Sequence, residues 1–331
     1  MVSIRTVLVI GGGGYVGSEL VDRLLNTKYK VRVFDTFWYG RDHFDSINNS
    51  NLELVTGDVR DILAVKSALV GVSDVIHLAC ISNDPSFDLN PELAKSINLT
   101  SFEPVVIAAK EAGINRFIFA STSSVYGVKT EPKVTEKLAL EPLTDYSKYK
   151  AECEKILLTH RSEEFICTIL RPATICGVST RQRFDLSVNI LTNHAVNKNK
   201  ITVFGGSQQR PNLHIKDMCR AYIHVLKEPI AKISGKTFNV GAENLSLDEI
   251  AIKVQQITKM SGVIEHQETN DLRSYRVDSS LIHQQLGFTP NYSVDDAIIE
   301  IVEAMKNNQY RDPLNNSNYY NIKKMKELNL G

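Results

Sequence analysis

Near its start the chain reads Val7-Leu8-Val9-Ile10-Gly11-Gly12-Gly13-Gly14-Tyr15-Val16-Gly17. The four apolar residues are bounded by glycine, and such a run predicts a strand that is buried on both faces, as in a parallel sheet. Val16, Leu20 and Leu24 then recur at helical spacing. The stretch therefore predicts a buried strand, a glycine-rich turn and an amphipathic helix in direct succession.

The glycines of this turn fit the phosphate end of a dinucleotide. Gly11 would allow a tight turn, Gly14 would let the backbone reach a diphosphate, and Gly17 would let the helix pack on the strand. The first turn of that helix supplies N–H groups and a positive dipole end. A second strand at 30–34 is followed by Asp35, about 20 residues beyond the turn, where a carboxylate binds a ribose 2′-hydroxyl. We interpret the stretch as a dinucleotide site rather than a flexible glycine turn with a chance aspartate.

The overall composition excludes several classes of function. The chain has 331 residues, enough for two lobes, and its 38 Lys and Arg balance 38 Asp and Glu. With no net charge we expect no nucleic-acid partner, so local cations must hold any phosphate ligand. No apolar run approaches membrane-helix length and the first strand leaves no room for a signal peptide, so we expect no membrane partner and a cytoplasmic location. The five cysteines lack paired metal-ligand spacing, which favours reduced thiols and no metal site.

Strand-like and helical stretches alternate through the first half of the chain. Strands are predicted at 6–10, 30–34, 52–55, 74–79, 116–120 and 165–170, and helices at 16–26, 61–70, 91–112 and 145–160. This alternation indicates an α/β fold with a Rossmann-like, doubly wound parallel sheet. Beyond residue 171 the alternation fades, with strands at 201–204 and 237–240 and a helix at 247–259. We expect an NAD-binding domain over 1–172 and a smaller α/β substrate lobe over 173–331, with later segments free to return to the first sheet.

Tyr146 and Lys150 lie four residues apart at the start of the predicted helix 145–160, so they share one helix face. A phenol ordinarily has a pKa of about 10 and is a poor base at neutral pH. A neighbouring lysine cation and a nicotinamide cation favour the phenolate. The alternative is a surface tyrosine beside a solvated lysine, which this spacing alone does not exclude.

A group of hydroxyl residues, 121–124, follows the predicted strand 116–120. It comes at the carboxyl end of the strand, which is where an α/β sheet places its ligands. Thr122 could hydrogen-bond a substrate hydroxyl and share its proton with Tyr146. The alternative is a Ser/Thr-rich turn of the kind that commonly follows strands.

Taken in order, these features resemble the extended short-chain dehydrogenase/reductases. The residues that carry the resemblance are Gly11-x-x-Gly14-x-x-Gly17, Asp35, Gly57-Asp58-Val59-Arg60-Asp61, His77-Leu78-Ala79, Asn98, Ser121-Thr122, Tyr146-x-x-x-Lys150 and Leu170-Arg171-Pro172. Within that family the chain resembles the sugar-nucleotide epimerase/dehydratase branch through Phe204-Gly205-Gly206, Arg210, His214-Ile215-x-Asp217 and Phe238-Asn239-Val240-Gly241. The likeness covers residues 4 to about 305.

The resemblance implies NAD as the cofactor and assigns its ligands. Asp35 would hold the adenosine ribose, and Asp58 with Val59 would hold the adenine. Asp35 would also repel a 2′-phosphate, which favours NAD over NADP, although Arg41 lies near enough in sequence to reach such a phosphate. The further cofactor residues implied are Gly11, Gly14, Tyr15, Val16, Gly17, Leu78, Ala79, Asn98 and Lys150.

The resemblance also implies catalytic and substrate residues. Tyr146 matches the family's catalytic base, Lys150 its cofactor-ribose ligand and Thr122 its hydroxyl partner. Arg210 and Arg273 match positions that hold a substrate diphosphate, for which guanidinium forks are suited. The remaining substrate residues implied are Thr174, Arg183, Asn189, Val203 and Phe204. The stretch 181–189, which contains two of them, could equally be a solvated loop and helix start.

One difference from the 4,6-dehydratases of this branch reduces the number of reactions that the chain could catalyse. The 4,6-dehydratases of this branch carry Asp-Glu after the catalytic threonine, whereas Ser123 and Ser124 stand here and cannot readily supply acid and base for removing water. What remains is hydride transfer at a sugar carbon, expected at C4, in glycan precursor biosynthesis. The ketone is then re-reduced from its other face (epimerase), released (dehydrogenase), or supplied from elsewhere and reduced (ketoreductase). The Arg-x-Arg-Phe-Asp stretch at 181–185 resembles nucleotide-heptose 4-dehydrogenases and keeps the dehydrogenase outcome open.

A rival from another class is a non-catalytic NAD-binding sensor. Intact Thr122, Tyr146 and Lys150 count against it, because a sensor needs no base beside its cofactor.

The resemblance further implies a homodimer through the helices predicted at 91–112 and 145–160. These helices hold more apolar residues than one buried face needs, although a thick core would explain them equally well: Val105, Val106, Ala109, Ile156 and Leu157.

Overall fold

The computed structural model describes residues 4–82, 84–271 and 273–330. The strands in these ranges are β1 Thr6–Ile10, β2 Lys30–Asp35, β3 Leu52–Thr56, β4 Asp74–His77, β5 Arg116–Ala120, β6 Ile166–Pro172, β7 Thr174–Cys176, β8 Ile201–Phe204, β9 Gln209–His214, β10 Lys236–Val240, β11 Glu243–Ser246 and β12 Ile264–Gln267. The α-helices are α1 Tyr15–Leu25, α2 Asp42–Asp45, α3 Ile62–Leu69, α4 Asp84–Leu89, α5 Pro91–Lys95, α6 Phe102–Glu111, α7 Asp145–His160, α8 Ser187–Lys198, α9 Ile215–Lys227, α10 Ile230–Ile233, α11 Leu247–Thr258, α12 Ser280–Leu286, α13 Val294–Lys306 and α14 Asn321–Glu327. The same ranges contain two 3₁₀ helices, Ser123–Tyr126 and Ser317–Tyr319, and a π-helix, Ser96–Thr100.

A parallel sheet of seven strands, in the order β10-β6-β5-β4-β1-β2-β3, forms the centre of the fold. Val7 and Val9 of β1 pack with α1 and α9 on one face, while Leu8 and Ile10 pack with α3, α6 and α7 on the other. The apolar run therefore forms a strand between two helix layers, and the predicted doubly wound α/β fold is confirmed. The order of connection reverses between β1 and β4, which opens a crevice at the carboxyl ends of these strands.

The differences between the predicted and observed bounds have a clear physical reason in β4 and in the helix predicted at 91–112. β4 stops before Leu78 because the N–H groups of Leu78 and Ala79 both donate to the carbonyl of Ile10, at 2.8 and 2.9 Å, and turn the chain out of the ladder. The helix predicted at 91–112 is divided into α5, the π-helix and α6. The wider turn of the π-helix holds Asn98, whose side chain is buried.

The chain after residue 172 builds a smaller lobe and also returns to the large sheet. β7, β9 and β11 form a three-stranded sheet, β8 and β12 a two-stranded one, and α8, α11 and α13 pack against one another. β10 instead pairs in parallel with β6, with Phe238 opposite Leu170, and α9 packs on α1. The smaller lobe is therefore not one uninterrupted stretch of chain.

Four of the five apolar residues that suggested a dimer belong to the core. Val105, Val106, Ala109 and Leu157 expose none of their surface. They pack in the same hydrophobic cluster as one face of β1. The homodimer stays a prediction without their support.

A buried chain of polar groups holds α7 against the carboxyl end of the sheet. Arg171 of β6 donates two hydrogen bonds, of 2.9 and 2.6 Å, to Glu154 of α7 and a third, of 2.7 Å, to the hydroxyl of Tyr126. Tyr126 donates in turn to the side-chain oxygen of Asn239 on β10, at 2.7 Å. Glu154 also accepts from the hydroxyl of Ser121. The network joins α7 to β6, to β10 and to the turn after β5.

Glu154→Gln should lower the free energy of unfolding by about 3–5 kcal/mol, because Arg171 then keeps a buried charge without its counter-ion. The matched control is Glu152→Gln on the solvent side of the same helix. Glu152 pairs with Lys155 at 3.1 Å on the surface, and such exposed pairs contribute at most about 1 kcal/mol. Urea unfolding followed by circular dichroism measures both, and equal losses in the two variants would contradict the role given to Glu154.

Candidate active site

A cavity of about 570 Å³ lies where the smaller lobe faces the carboxyl ends of β1, β4 and β5. Most predicted site residues line it: Gly11, Gly14, Tyr15, Val16, Gly17, Asp35, Asp58, Val59, Leu78, Ala79, Thr122, Tyr146, Lys150, Thr174, Arg183, Phe204, Arg210 and Arg273. Asn98, Asn189 and Val203 do not. The fold thus brings residues from both halves of the chain to one cleft.

The glycine turn has the shape that a diphosphate requires. Gly11 has a φ of +84°, and a Cβ there would lie 2.4 Å from the nitrogen of Ala79. A Cβ on Gly17 would lie 2.5 Å from the carbonyl oxygen of Gly11. A Cβ on Gly14 would meet only that oxygen, at 3.4 Å, which is ordinary contact. The protein's own packing therefore explains two of the glycines, and Gly14 leaves open the space that a phosphate at the start of α1 would occupy.

Asp35 ends β2 beside this turn. Its carboxylate accepts hydrogen bonds from the N–H groups of Gly13 at 2.8 Å and Phe37 at 2.7 Å. Burial raises its pKa, and these backbone bonds act against that rise. Arg41 is turned to the surface, where it pairs with Asp45 at 2.7 Å. A ribose hydroxyl therefore fits at Asp35 better than a 2′-phosphate does.

Asp58 and Asn98 differ in their position relative to the cleft. Asp58 lines it, and hydrogen bonds from Arg60, the closest at 2.6 Å, lower the pKa of its carboxyl group. Asn98 lies behind the wall, where its amide exchanges two hydrogen bonds of 2.9 Å with the backbone N–H and C=O of Ile81. Asn98 therefore positions the loop after β4, and its contact with the cofactor stays a prediction.

Tyr146 and Thr122 meet on the cofactor-domain wall. Thr122 caps the 3₁₀ helix after β5, where its hydroxyl accepts from the N–H of Ser124 at 3.1 Å. Burial raises the pKa of Tyr146 above its ordinary value, and nearby Cys80 and Asp84 raise it further. The hydrogen bond that Tyr146 shares with Thr122 acts in the opposite direction. The phenol is therefore neutral at pH 7 unless additional positive charge approaches it.

Lys150 brings a positive charge to the same wall. Its ammonium group donates to the carbonyl of Ala120 at 2.7 Å and lies 4.8 Å from the centre of the Phe119 ring. Among the residues that the structure describes, no carboxylate forms an ion pair with it. Burial, and then the charge of Lys150, lower the pKa of His77 to about 3, so that histidine is neutral. The charge of Lys150 is thus not neutralised by a neighbouring carboxylate.

Arg210 and Arg273 line the smaller-lobe side of the cavity and share one carboxylate. Asp271 pairs with Arg210 at 2.9 Å and with Arg273 at 2.7 Å. Arg273 also pairs at 2.6 Å with Asp84, the first residue of α4. Burial alone would raise the pKa of Asp271, but the hydrogen bonds from Arg273 outweigh it and hold that pKa at about 2. The two guanidinium groups are therefore held in place beside each other.

Two of the implied substrate residues are turned away from the cleft. Val203 is fully buried because strand alternation directs it into the core of the smaller lobe, whereas the next residue, Phe204, is exposed and lines the cavity. Asn189 accepts from the N–H of Gly177 at 3.1 Å and donates to the carbonyl of Arg183 at 2.9 Å. Its amide is used inside the protein, so neither Val203 nor Asn189 is placed to contact a substrate.

The cavity also holds residues that sequence reasoning did not assign. Arg181 is the first cation of the Arg-x-Arg stretch, and Asp271 stands two residues before Arg273. Trp38 and Tyr39 follow β2 closely. Each of these residues lies within four positions of a residue that the sequence analysis did assign to the site. This proximity is the signal by which they could have been found from the sequence.

Residues 7–241 match the NAD dependent epimerase/dehydratase family. The chain belongs to this family. It is 30% identical over 309 residues to the uncharacterized UDP-glucose epimerase YtcB of Bacillus subtilis (strain 168), across 88% of this chain and 95% of that protein. The UDP-glucuronic acid 4-epimerase of Bacillus cereus, solved with UDP-glucuronic acid and NAD, matches at 26% identity with a TM-score of 0.83, across 92% of this chain and 100% of that one. The UDP-glucose 4-epimerase of Thermotoga maritima shares the fold, with a TM-score of 0.84 at 22% identity, across 92% of this chain and 100% of that one.

Family membership confirms two predictions: the cofactor is NAD, and the protein is an enzyme. The protein is an NAD-dependent enzyme of the short-chain dehydrogenase/reductase type, so the sensor interpretation is set aside. In the described ranges the longest helix, α7, has 16 residues, and none is long and apolar enough to cross a bilayer.

The enzyme should bind NAD at least about tenfold more tightly than NADP, because the Asp35 carboxylate repels a 2′-phosphate. Titration calorimetry with both oxidised cofactors measures the ratio. Arg41→Ala should leave it unchanged, because Arg41 is engaged by Asp45 on the surface. If the preference for NAD over NADP is greater in Arg41→Ala than in the wild type, then Arg41 does contact the 2′-phosphate of NADP.

Proposed function

We propose that this enzyme transfers a hydride at C4 of a nucleotide-linked sugar and acts as a 4-epimerase in glycan precursor biosynthesis. The observation that carries the proposal is a single cleft that holds Tyr146, Thr122 and Lys150 together with two diphosphate-compatible arginines, Arg210 and Arg273. Similarity to a UDP-glucose epimerase and to a UDP-glucuronic acid 4-epimerase supports it.

Tyr146 acts as the base in this proposal. It removes the proton of the C4 hydroxyl, while bound NAD supplies the hydride acceptor. The cation of Lys150 and the hydrogen bond from Thr122 stabilise the phenolate, and both are needed because burial by itself favours the neutral phenol. Tyr146 returns the proton when the ketone is reduced again, so its net protonation is unchanged after a full epimerisation.

The hydroxyl residues beside Thr122 argue against elimination of water. The hydroxyl of Ser123 lies 3.2 Å from that of Tyr275, and the hydroxyl oxygen of Ser124 lies 3.2 Å from that of Thr122. Neither side chain has a pKa suited to proton transfer at neutral pH. Hydride transfer without dehydration therefore accounts best for this cleft.

Release of the 4-keto sugar is the second candidate outcome, as a 4-dehydrogenase or, in reverse, a 4-ketoreductase. It shares every residue of the first step, and the Arg-x-Arg-Phe-Asp stretch at 181–185 favours it. The outcome depends on whether the ketone turns over in the cleft before it leaves. A cytoplasmic location and a homodimer complete the proposal and rest on the sequence analysis and the resemblance alone.

Deuterium at C4 separates these outcomes. The enzyme is incubated with NAD and with 4-deuterated UDP-glucose, UDP-N-acetylglucosamine or UDP-glucuronic acid, and the products are analysed by NMR and mass spectrometry. An epimerase returns deuterium to C4 of the epimer, whereas a dehydrogenase leaves it in the reduced cofactor. Transfer of the label from C4 to C6, which accompanies loss of water, or release of carbon dioxide, without C4 inversion or ketone release, would overturn the proposal.

Tyr146→Phe should lower turnover by about 10²–10⁴-fold, because it removes the only atom that carries the proton. NAD affinity should stay near that of the wild type, and the fluorescence of Trp38, the single tryptophan, which lines the cleft, reports it. Tyr149→Phe on the same helix is the matched control, since Tyr149 does not line the cavity. Wild-type turnover in Tyr146→Phe, or an equal loss in Tyr149→Phe, would exclude Tyr146 as the base.

Arg210→Ala should weaken nucleotide-sugar binding by about 2–5 kcal/mol, the usual cost of removing one partner of a buried charge pair. Arg273→Ala should do the same. Arg276→Ala is the control, because Arg276 is exposed and does not line the cleft. Substrate KM and NAD affinity are measured in parallel, and a variant that keeps its substrate affinity but loses NAD would place that arginine outside the substrate site.

A further inference from the structure

A segment of the smaller lobe, residues 177–185, is bound directly to the first turns of α1. The hydroxyl of Tyr15, the first residue of α1, donates to the carbonyl of Gly177 at 2.8 Å. The hydroxyl of Ser179 donates to the carbonyl of Tyr15 at 2.8 Å and lies 2.9 Å from that of Ser18. We call residues 177–185 the cover segment, because these bonds hold it beside the helix end that faces the phosphate site.

The cover segment places two arginines in the cleft. Arg181 and Arg183 line the same cavity as the glycine turn and are only 9% and 7% exposed. The Arg181 guanidinium lies 3.5 Å from the centre of the Tyr39 ring, just beyond β2. Arg183 donates to the hydroxyl of Ser82, in the loop after β4, at 2.9 Å. Since β1 lies between β2 and β4 in the sheet, the pair spans the carboxyl end of β1, where the glycine turn lies.

The positive charge of this pair is only partly balanced. Arg183 pairs with Asp185 at 2.8 Å. Arg181 donates to a neutral group, the side-chain oxygen of Asn321, at 2.6 Å. The nearby carboxylates of Asp185 and Asp35 raise the pKa of Arg181, but less than burial lowers it. Burial lowers the pKa of Arg181 to about 10, which leaves it charged at neutral pH. Nε of Arg181 and Nη2 of Arg183 are buried without a hydrogen-bond partner.

Two guanidinium groups on one cavity wall, each with a buried nitrogen that lacks a hydrogen-bond partner, suit an anion with several oxygen atoms. We propose that Arg181 and Arg183 bind the diphosphate of the NAD cofactor from the side opposite the glycine turn and so retain the cofactor through turnover. This assigns Arg183 to the cofactor, whereas the resemblance implied the substrate. The substrate diphosphate has its own cations, Arg210 and Arg273, on other elements. The inference depends on NAD binding and not on the proposed chemistry at C4.

The test compares Arg181→Gln and Arg183→Gln with Arg276→Gln as the surface control. Co-purified nucleotide is first removed with charcoal, and binding is then measured by calorimetry and by Trp38 fluorescence. The probes are NAD, ADP-ribose, which keeps the diphosphate, adenosine, which lacks it, and UDP. Each cover-segment variant should bind NAD and ADP-ribose at least about tenfold more weakly, with adenosine and UDP unchanged. Arg276→Gln should resemble the wild type with all four probes.

Other results would overturn the assignment. Unchanged NAD binding with weakened UDP binding would assign the pair to the substrate, and unchanged binding of all probes would make it structural. Where circular dichroism shows that a Gln variant does not fold, Arg181→Lys and Arg183→Lys keep the charge but lose the two-pronged geometry. These should release NAD faster than the wild type in stopped-flow measurements, and an unchanged release rate would equally overturn the proposal.

Discussion

The buried ion pair between Arg171 and Glu154 is the interaction on which the geometry of this site depends. Tyr146, Lys150 and Glu154 recur every four residues along α7, so they lie on one face of the helix. Arg171 fixes the last of them to the end of β6, and its third bond continues through Tyr126 to β10. Tyr146 and Lys150 are thereby held against the carboxyl ends of the strands.

The proposed function requires a chain with no net charge to bind two diphosphate ligands, and most of the cations proposed to bind them are already oriented by carboxylates. Arg210 and Arg273 are held by Asp271, and Arg183 by Asp185. Pairing of this kind lowers the cost of ordering long side chains when a ligand arrives. The bond from Arg273 to Asp84 also joins the smaller lobe to α4 across the cleft. The resting site is therefore preorganised on both of its walls.

For several residues that were assigned to the site from sequence, the structure shows contacts that the sequence did not predict. Asn98 and Asn189 are polar residues beside the site, but their side-chain amides form hydrogen bonds with backbone groups, because a buried amide must find hydrogen-bond partners nearby. Val203 is adjacent to Phe204 in sequence but faces the opposite side of β8. The π-helix at Ser96–Thr100 could not be read from periodicity, since it changes the helical repeat for a single turn.

The sequence by itself determined the parallel sheet, the glycine turn of the NAD site and the placement of Tyr146 and Lys150 on one helix face. Each depends on local spacing: a buried run before glycine, a carboxylate after the next strand, and two residues four positions apart in a helix. Only the tertiary structure decided where the second half of the chain packs against the first. The return of β10 to the large sheet, the bond from Arg273 to Asp84 and the contact of the cover segment with α1 all join residues more than 60 positions apart. Such contacts follow from how the two lobes pack, and no short-range pattern in the chain encodes that packing.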